Sequence, residues 1–186
     1  VAIPSSTNGR GIDWSDWYRA AGCESAYLAF DPDNPVDLYG GCYQGLIEKL
    51  NIVTQKSRSI MAYEYLGLGS LPSDQKFRFN WNAPIFASPH DPSTIYHAGN
   101  VLFKTNDGGN SWDIISPDLT KDDKKKHDLG SVPFTNEAAG GEIYNTIMYA
   151  VESQHEAGTI LAGSDDGLIH ITRNGGIDWN NITPRS

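Results

Sequence analysis

Apolar and polar residues alternate along this chain in short runs, and each run stops at a cluster of Gly, Pro, Asp or Asn. Val101-Leu102-Phe103-Lys104 and Leu168-Ile169-His170-Ile171 are two such runs, each answered by a shorter one, Asp113-Ile114-Ile115 and Asn180-Asn181-Ile182. A period of two over four to six residues marks a strand with one face on a core. Upstream, Pro84–Ser88 and Thr94–Gly99 flank the turn His90-Asp91-Pro92, and Ala26–Phe30 and Val36–Gly41 flank Asp31-Pro32-Asp33-Asn34 in the same way. Ile147–Glu152 and Thr159–Gly163 give a third version, with a turn through Gly158. Each unit runs strand, turn, strand ending in Gly, strand, turn, strand. Four short antiparallel strands, repeated, are the signature of propeller blades. The expected fold is therefore all-β: an incomplete β-propeller of three four-stranded blades over 22–75, 78–120 and 140–184, behind a leading segment 1–21.

Within the second and third units the last turn is nearly duplicated. Thr105-Asn106-Asp107-Gly108-Gly109-Asn110-Ser111-Trp112 recurs as Thr172-Arg173-Asn174-Gly175-Gly176-Ile177-Asp178-Trp179. Paired glycines open the backbone to positive φ, and Asp or Asn accepts hydrogen bonds from the turn's own N–H groups. The Trp begins the return strand, where its ring is expected to pack under the turn. This octapeptide resembles the Asp box, Ser/Thr-x-Asp-x-Gly-x-x-Trp, of sialidases, xyloglucan-degrading hydrolases and sortilin-type receptors. Thr105, Asp107, Gly109 and Trp112 match it throughout; Thr172, Gly176 and Trp179 match with Asn174 in place of the acid, a swap that keeps the acceptor and removes the charge. The stretches Phe79–Pro84 through Ser116–Thr120 and Ser164–Leu168 are similar to bacterial propeller proteins described as sortilin-like or glycosyl-hydrolase-like. The resemblance implies a propeller whose Asp boxes are structural and lie on the outer part of the blade.

Composition fits many tight turns: 186 residues hold 19 Gly, 10 Pro, 5 Trp, 9 Tyr and 6 Phe. A net charge of −9 excludes a nucleic-acid binder, since no basic stripe exists to meet phosphates; Lys124-Lys125-Lys126 is diluted by Asp122, Asp123 and Asp128. No apolar run is long enough to span a membrane. Export to a secreted, periplasmic or cell-surface setting is expected, although no signal segment lies in this sequence. Three blades do not close a ring, which takes about four or more. The chain is expected either to belong with further propeller blades, the favoured alternative, or to close by self-association.

A hairpin centred on Asp33 sets Cys23 opposite Cys42. A disulfide in an exported protein and two small buried thiols both fit that placement. Two Cys without a partnered His make no metal site, and no cofactor fingerprint, phosphate loop or nucleophile elbow occurs. Near the start, Trp14 and Trp17 are expected to pack on the first blade, with Asp13 and Asp16 as turn or cap residues.

One constellation stands out. Ala20-Ala21-Gly22-Cys23-Glu24 returns as Ala138-Ala139-Gly140-Gly141-Glu142, each Glu just before the first strand of a blade. In the middle blade that place is held by Arg78, Asn80, Trp81 and Asn82. If the first strand is innermost, Glu24, Asn82 and Glu142 ring the mouth of the central channel, with Trp81, Tyr144 and Asn145 beside them. Amides and carboxylates among rings suit a glycan or polypeptide ligand. Glu24 and Glu142 are also weak candidates for the acid and base of a glycoside hydrolase. The competing structural role is a turn carboxylate capping backbone N–H groups.

Overall fold

The protein is described by a computed structural model covering residues 1–9, 11–25, 27–65, 67, 70–128 and 143–185. Three four-stranded antiparallel sheets follow one another, each in simple sequence order. The first comprises β1 (Leu28–Phe30), β2 (Asp37–Gly41), β3 (Ile47–Asn51) and β4 (Ser57–Ser59). The second holds β5 (Ile85–Ala87), β6 (Ile95–Ala98), β7 (Leu102–Thr105) and β8 (Asp113–Ile114). The third holds β9 (Ile147–Glu152), β10 (Ile160–Ser164), β11 (Ile169–Thr172) and β12 (Asn180–Asn181). Helical structure among the described residues is confined to single 3-10 turns at Trp14–Asp16, Tyr43–Gly45 and Pro72–Asp74. The fold is that of an incomplete propeller, nearly all β.

The core lies between sheets rather than within them. Ala29, Tyr39, Ile47 and Ile60 of the first sheet pack on Ile85 and Ile95 of the second. Tyr96, Ala98, Leu102 and Leu119 pack on Ile147, Ala150, Ile160 and Ala162 of the third. Alternation explains the division: β10 reads buried, exposed, buried from Ile160 to Ala162, so alternate side chains face the preceding sheet. Each fully buried Ile or Leu contributes roughly 1.5–3 kcal/mol of transfer free energy, so these interfaces dominate what holds the sheets together.

The duplicated turns show why their residues recur. The Thr105 hydroxyl donates to Asp107 Oδ1 at 2.8 Å and accepts from Gly109 N at 3.0 Å; Asp107 Oδ1 also accepts from Asn110 N and Ser111 N at 2.8 and 3.0 Å. In the second copy Thr172 donates to Asn174 Oδ1 at 3.0 Å, Gly176 N donates to the Thr172 hydroxyl at 3.0 Å, and Asp178 N donates to Asn174 Oδ1 at 3.0 Å. Hydrogen bonds from Ser111 first, then Thr105 and Asn110, hold the Asp107 carboxyl far below its usual range.

The tryptophans depart from expectation. Each ring reaches out of its own turn to the preceding sheet: Trp112 Nε1 donates to the Ile60 carbonyl at 2.9 Å, and Trp179 Nε1 donates to the Ile115 carbonyl at 2.8 Å. Gly109 and Gly176, both at positive φ, lie against the same Ile60 and Ile115, where a side chain would collide. The indole is thus a staple between blades, and the second glycine is required by that close approach as well as by the turn.

Two expectations about the first 42 residues change. The hairpin ladder pairs Ala29 with Tyr39, a different register from one centred on Asp33. Cys23 nevertheless forms a disulfide with Cys42, Cα–Cα 5.1 Å, because it lies beyond the ladder and is held by its own amide bond to the Gly41 carbonyl at 3.0 Å. Trp14 and Trp17 stack on each other, ring centroids 4.4 Å apart, and both are exposed. Asp13 and Asp16 form a reciprocal capping box around that 3-10 turn, which fixes the two rings side by side away from the sheet. Ala21 and Gly22 do reach it, packing directly on Gly40.

His97 on β6 is almost wholly enclosed, stacked on Phe79 with centroids 5.0 Å apart. Its Nδ1 donates to the Pro84 carbonyl at 3.0 Å, since a carbonyl only accepts. Burial pushes the imidazole down to about 4 from 6.5, against weaker upward pulls from the Pro84 and Gly45 carbonyls. The unfolded chain therefore takes up this proton first as pH falls. Stability is full above pH 6.5 and declines between pH 6.5 and 4. The decline is expected to reach about 3 kcal/mol. Urea titrations across that window should show it, and His97→Gln should flatten it; an equally steep dependence in the variant would refute the assignment.

Candidate functional site

The mouth of the assembly is the end at which β1, β5 and β9 begin. It is built from the β2–β3 loop, the long β4–β5 connection and the β8–β9 connection. Glu24 is exposed there, next to the Cys23–Cys42 bridge. Trp81 meets Tyr43, the residue after Cys42, edge to face at 4.5 Å. Asn80 Nδ2 donates to the Ile143 carbonyl at 3.4 Å, and its Oδ1 accepts from Asn82 N at 3.2 Å, leaving the Asn82 side chain exposed. Tyr144 lies under Lys126, 5.7 Å from Nζ to ring centre. Glu142 falls outside the described residues.

Arg78 and Asn145 come together, but inside the protein. Arg78 Nε donates to the Asn145 carbonyl at 3.1 Å, Nη2 to Asp118 Oδ2 at 2.7 Å and to Thr120 Oγ1 at 3.2 Å, and Nη1 lies 3.2 Å from Asp122 Oδ1. Asn145, fully enclosed at φ 61°, donates through Nδ2 to Asp166 Oδ2 at 2.6 Å. Burial pulls Asp118 upward, but bonds from Thr120, Asn100 and Arg78 outweigh it and hold the carboxyl below its ordinary value. Asp166 is likewise lowered against burial, by Ser164, the Lys121 amide and Asn145. This web ties the β8–β9 connection to the β10–β11 turn and gives the mouth a rigid floor.

Three aromatic residues join the rim that spacing along the chain did not single out. Tyr43 sits on a strained loop, with Gln44 at φ 59° and Gly45 at φ 76° against the Phe79 ring. The Gln44 side-chain oxygen accepts from Gly67 N at 2.9 Å, which ties this loop to the β4–β5 connection. Tyr63 stacks edge-on with Phe77 at 5.2 Å, and Lys76 covers both rings. Tyr65 is exposed, its hydroxyl donating to Ser70 Oγ at 3.2 Å. The only sequence signal for these was the density of rings between 43 and 81. The result is a rim of ring faces and side-chain amides.

Asp165 is the carboxyl at this end whose ordinary value is raised, by burial first and by the neighbouring Asp166 charge, against bonds from Thr146. Behind the rim, a cavity of about 290 Å³ runs along the innermost strands and is lined by Tyr27, Leu28, Phe30, Phe86, Tyr149 and Val151 among others, with no carboxylate. At the opposite end, between the first two sheets, a cavity of about 380 Å³ is lined by Asp31, Asp37, Lys49 and Asp107, with Lys49 Nζ 2.9 Å from Asp37 Oδ2. Among the described residues no three His, Cys, Asp or Glu side chains gather as metal ligands. No helix among them is long and apolar enough to cross a membrane.

No protein-family model matches the chain. No curated protein matches it either. Solved structures do. A GH74 xyloglucanase from Xanthomonas campestris superposes with a TM-score of 0.50 at 14% identity, over 86% of this chain and 22% of that one. YCF48 from Cyanidioschyzon merolae gives 0.46 at 15% identity, over 86% and 37%; YCF48 bound to D1 peptide gives 0.49 at 14%, over 84% and 38%. The chain thus spans under two-fifths of each of these proteins. At 14% identity the likeness to the xyloglucanase speaks for the fold, β-propeller blades, and for nothing finer.

Proposed function

We propose that the chain is a non-catalytic β-propeller binding module, part of a larger secreted, periplasmic or cell-surface protein, that takes a glycan or a polypeptide at its mouth. The observation that carries this is the rim itself. Trp81 against Tyr43, with Asn80, Asn82 and Gln44 around them, offers ring faces for stacking and amides that both donate and accept. Arg78 and Asn145 support the floor, while Glu24 and Asn82 are the exposed polar groups at the edge. The duplicated turns are Asp boxes in this proposal, and the kinship is with sortilin-like propellers. The Cys23–Cys42 bridge supports an oxidising compartment.

The second proposal, a glycoside hydrolase using Glu24 or Glu142, gains one observation in its favour: the raised Asp165 carboxyl, a property of general acids. Its neighbour Asp166 is engaged by three donors, the Lys121 amide, Asn145 Nδ2 and the Ser164 hydroxyl, so the second carboxylate beside it is already taken up. Glycan and peptide arrays together with chromogenic glycosides separate the two. Binding without turnover, weakened about tenfold or more by Trp81→Ala and by Asn82→Ala, is expected of the module. Turnover that disappears in Glu142→Gln or Asp165→Asn would replace it with the enzyme.

A further inference from the structure

Each sheet presents one face to the sheet that follows it, and equivalent positions on the three faces can be matched through the ladders. Tyr39 pairs with Lys49, Tyr96 with Lys104 and Leu161 with Ile171. Just past the fourth strand, Ile60, Ile115 and Ile182 each donate their amide to the first residue of the third strand, Ile47, Leu102 and Ile169, at 2.9, 2.9 and 2.8 Å. On the first two faces these carbonyls accept the indoles of the next sheet, Trp112 on Ile60 and Trp179 on Ile115. The third face is open. Leu161 is 40% exposed where Tyr96 is 4%, Ile169 is 38% where Leu102 is 0%, and Ile182 is 47% where Ile60 is 3%. Among the described residues no side chain donates to the Ile182 carbonyl.

We propose that this face docks a further blade carrying a Thr-x-Asp/Asn-x-Gly-x-x-Trp turn, whose indole N–H donates to the Ile182 carbonyl and whose second turn glycine lies on the Ile182 side chain. The occupant follows from continuity: two successive interfaces in this chain use the same isoleucine, the same glycine approach and the same indole, and the third isoleucine is in place. A second copy of the chain does not meet the requirement. Its two turns of this kind already donate their indoles internally, and the matching turn of its first sheet, Asn51–Lys56, contains neither Trp nor Gly. The proposal stands apart from any ligand at the mouth and does not depend on it.

The test extends the intact protein. Thr183-Pro184 repeats Ser116-Pro117, so a second copy of residues 118–185 joined behind Pro184 keeps the native connection length. The indole N–H of the appended copy, followed by NMR hydrogen exchange, is expected to be protected like those of Trp112 and Trp179. In the extended protein Ile182→Asp should raise its exchange rate at least tenfold, whereas in the unextended protein the same change should leave the melting temperature nearly unaltered. An appended indole that exchanges as freely as Trp14 would overturn the proposal. So would an appended segment that stays unfolded, since the face should supply its missing neighbour. A dimer of the unextended chain in sedimentation, cross-linked symmetrically through Ile182→Cys, would assign the face to a second copy instead.

Discussion

Replacing Trp112 with alanine is expected to lower the unfolding free energy by about 3 kcal/mol, the low end of the range for deleting a large buried aromatic. The ring is half-buried and packs against both the inter-sheet cluster around Ile47, Ile60, Ile85 and Ile95 and the cluster around Phe79, Val101 and Phe103. Its removal opens a void at the seam and leaves the Ile60 carbonyl without its indole donor. Trp112→Phe keeps much of the packing and isolates that hydrogen bond, with an expected cost of about 1 kcal/mol beyond the lost ring volume. Because the sheets pack mainly in series, with a single long hydrogen bond from the Tyr27 hydroxyl to the Met148 carbonyl joining first to third among the described residues, the loss at this seam should also weaken cooperativity, so that urea unfolding followed by circular dichroism broadens or splits. A Trp112→Ala protein with an unchanged midpoint and slope would show that the seam does not depend on the staple. Trp179→Ala should release mainly the third sheet, whose packed core is shared with the second.

The staple also shows what could and could not be read from the sequence. The octapeptide was legible because everything it needs is local: a hydroxyl, an acceptor two residues on, and glycines at positive φ. The destination of its indole was not, because the Ile60 and Ile115 carbonyls lie more than fifty residues away and any residue has a carbonyl. Alternation and turn chemistry gave three four-stranded antiparallel sheets, since a strand period and a Gly-Asp turn are local too. The register of the first hairpin failed because its turn spans Asp31 to Val36 and its centre cannot be set from one aspartate. At the mouth, the run Arg78–Asn82 was visible as a polar-aromatic cluster. That Arg78 turns inward is decided by Asp118 and Asp122 on a distant connection, and that Tyr43 meets Trp81 is decided by a loop in another sheet. Long-range pairs of this kind leave no spacing to detect.

The second large effect is expected at Arg78. Its side chain is 5% exposed and is the cation for two carboxylates, Asp118 at 2.7 Å and Asp122 at 3.2 Å. Arg78→Met preserves much of the stem's packing but leaves Asp118 and the Asn145 carbonyl without their guanidinium, while Asp122 keeps Lys124. With the carboxylate side partly exposed, the expected cost is about 3 kcal/mol, the low end for breaking a buried pair from one side. His127 offers little replacement: burial, the largest cause, holds its imidazole below the usual value and persists without Arg78, and its ion-pair contact is with Asp122 rather than Asp118. The pH dependence gives the signature. In the native protein Asp118 is held below 3.8, so its contribution is present above that value and is lost as pH falls through the depressed one. Without Arg78 part of the depression is relieved, the bonds from Thr120 and Asn100 remaining, and acid should cost the variant less than it costs the native protein. The stability gap is therefore expected to be widest near neutral pH and to narrow as the pH falls through and below 3.8. Arg78→Met combined with Asp118→Asn should recover part of the loss, because the stranded charge is gone. A gap that stays constant with pH, or a double variant no more stable than Arg78→Met alone, would mean that the guanidinium acts through packing rather than through the charges it joins.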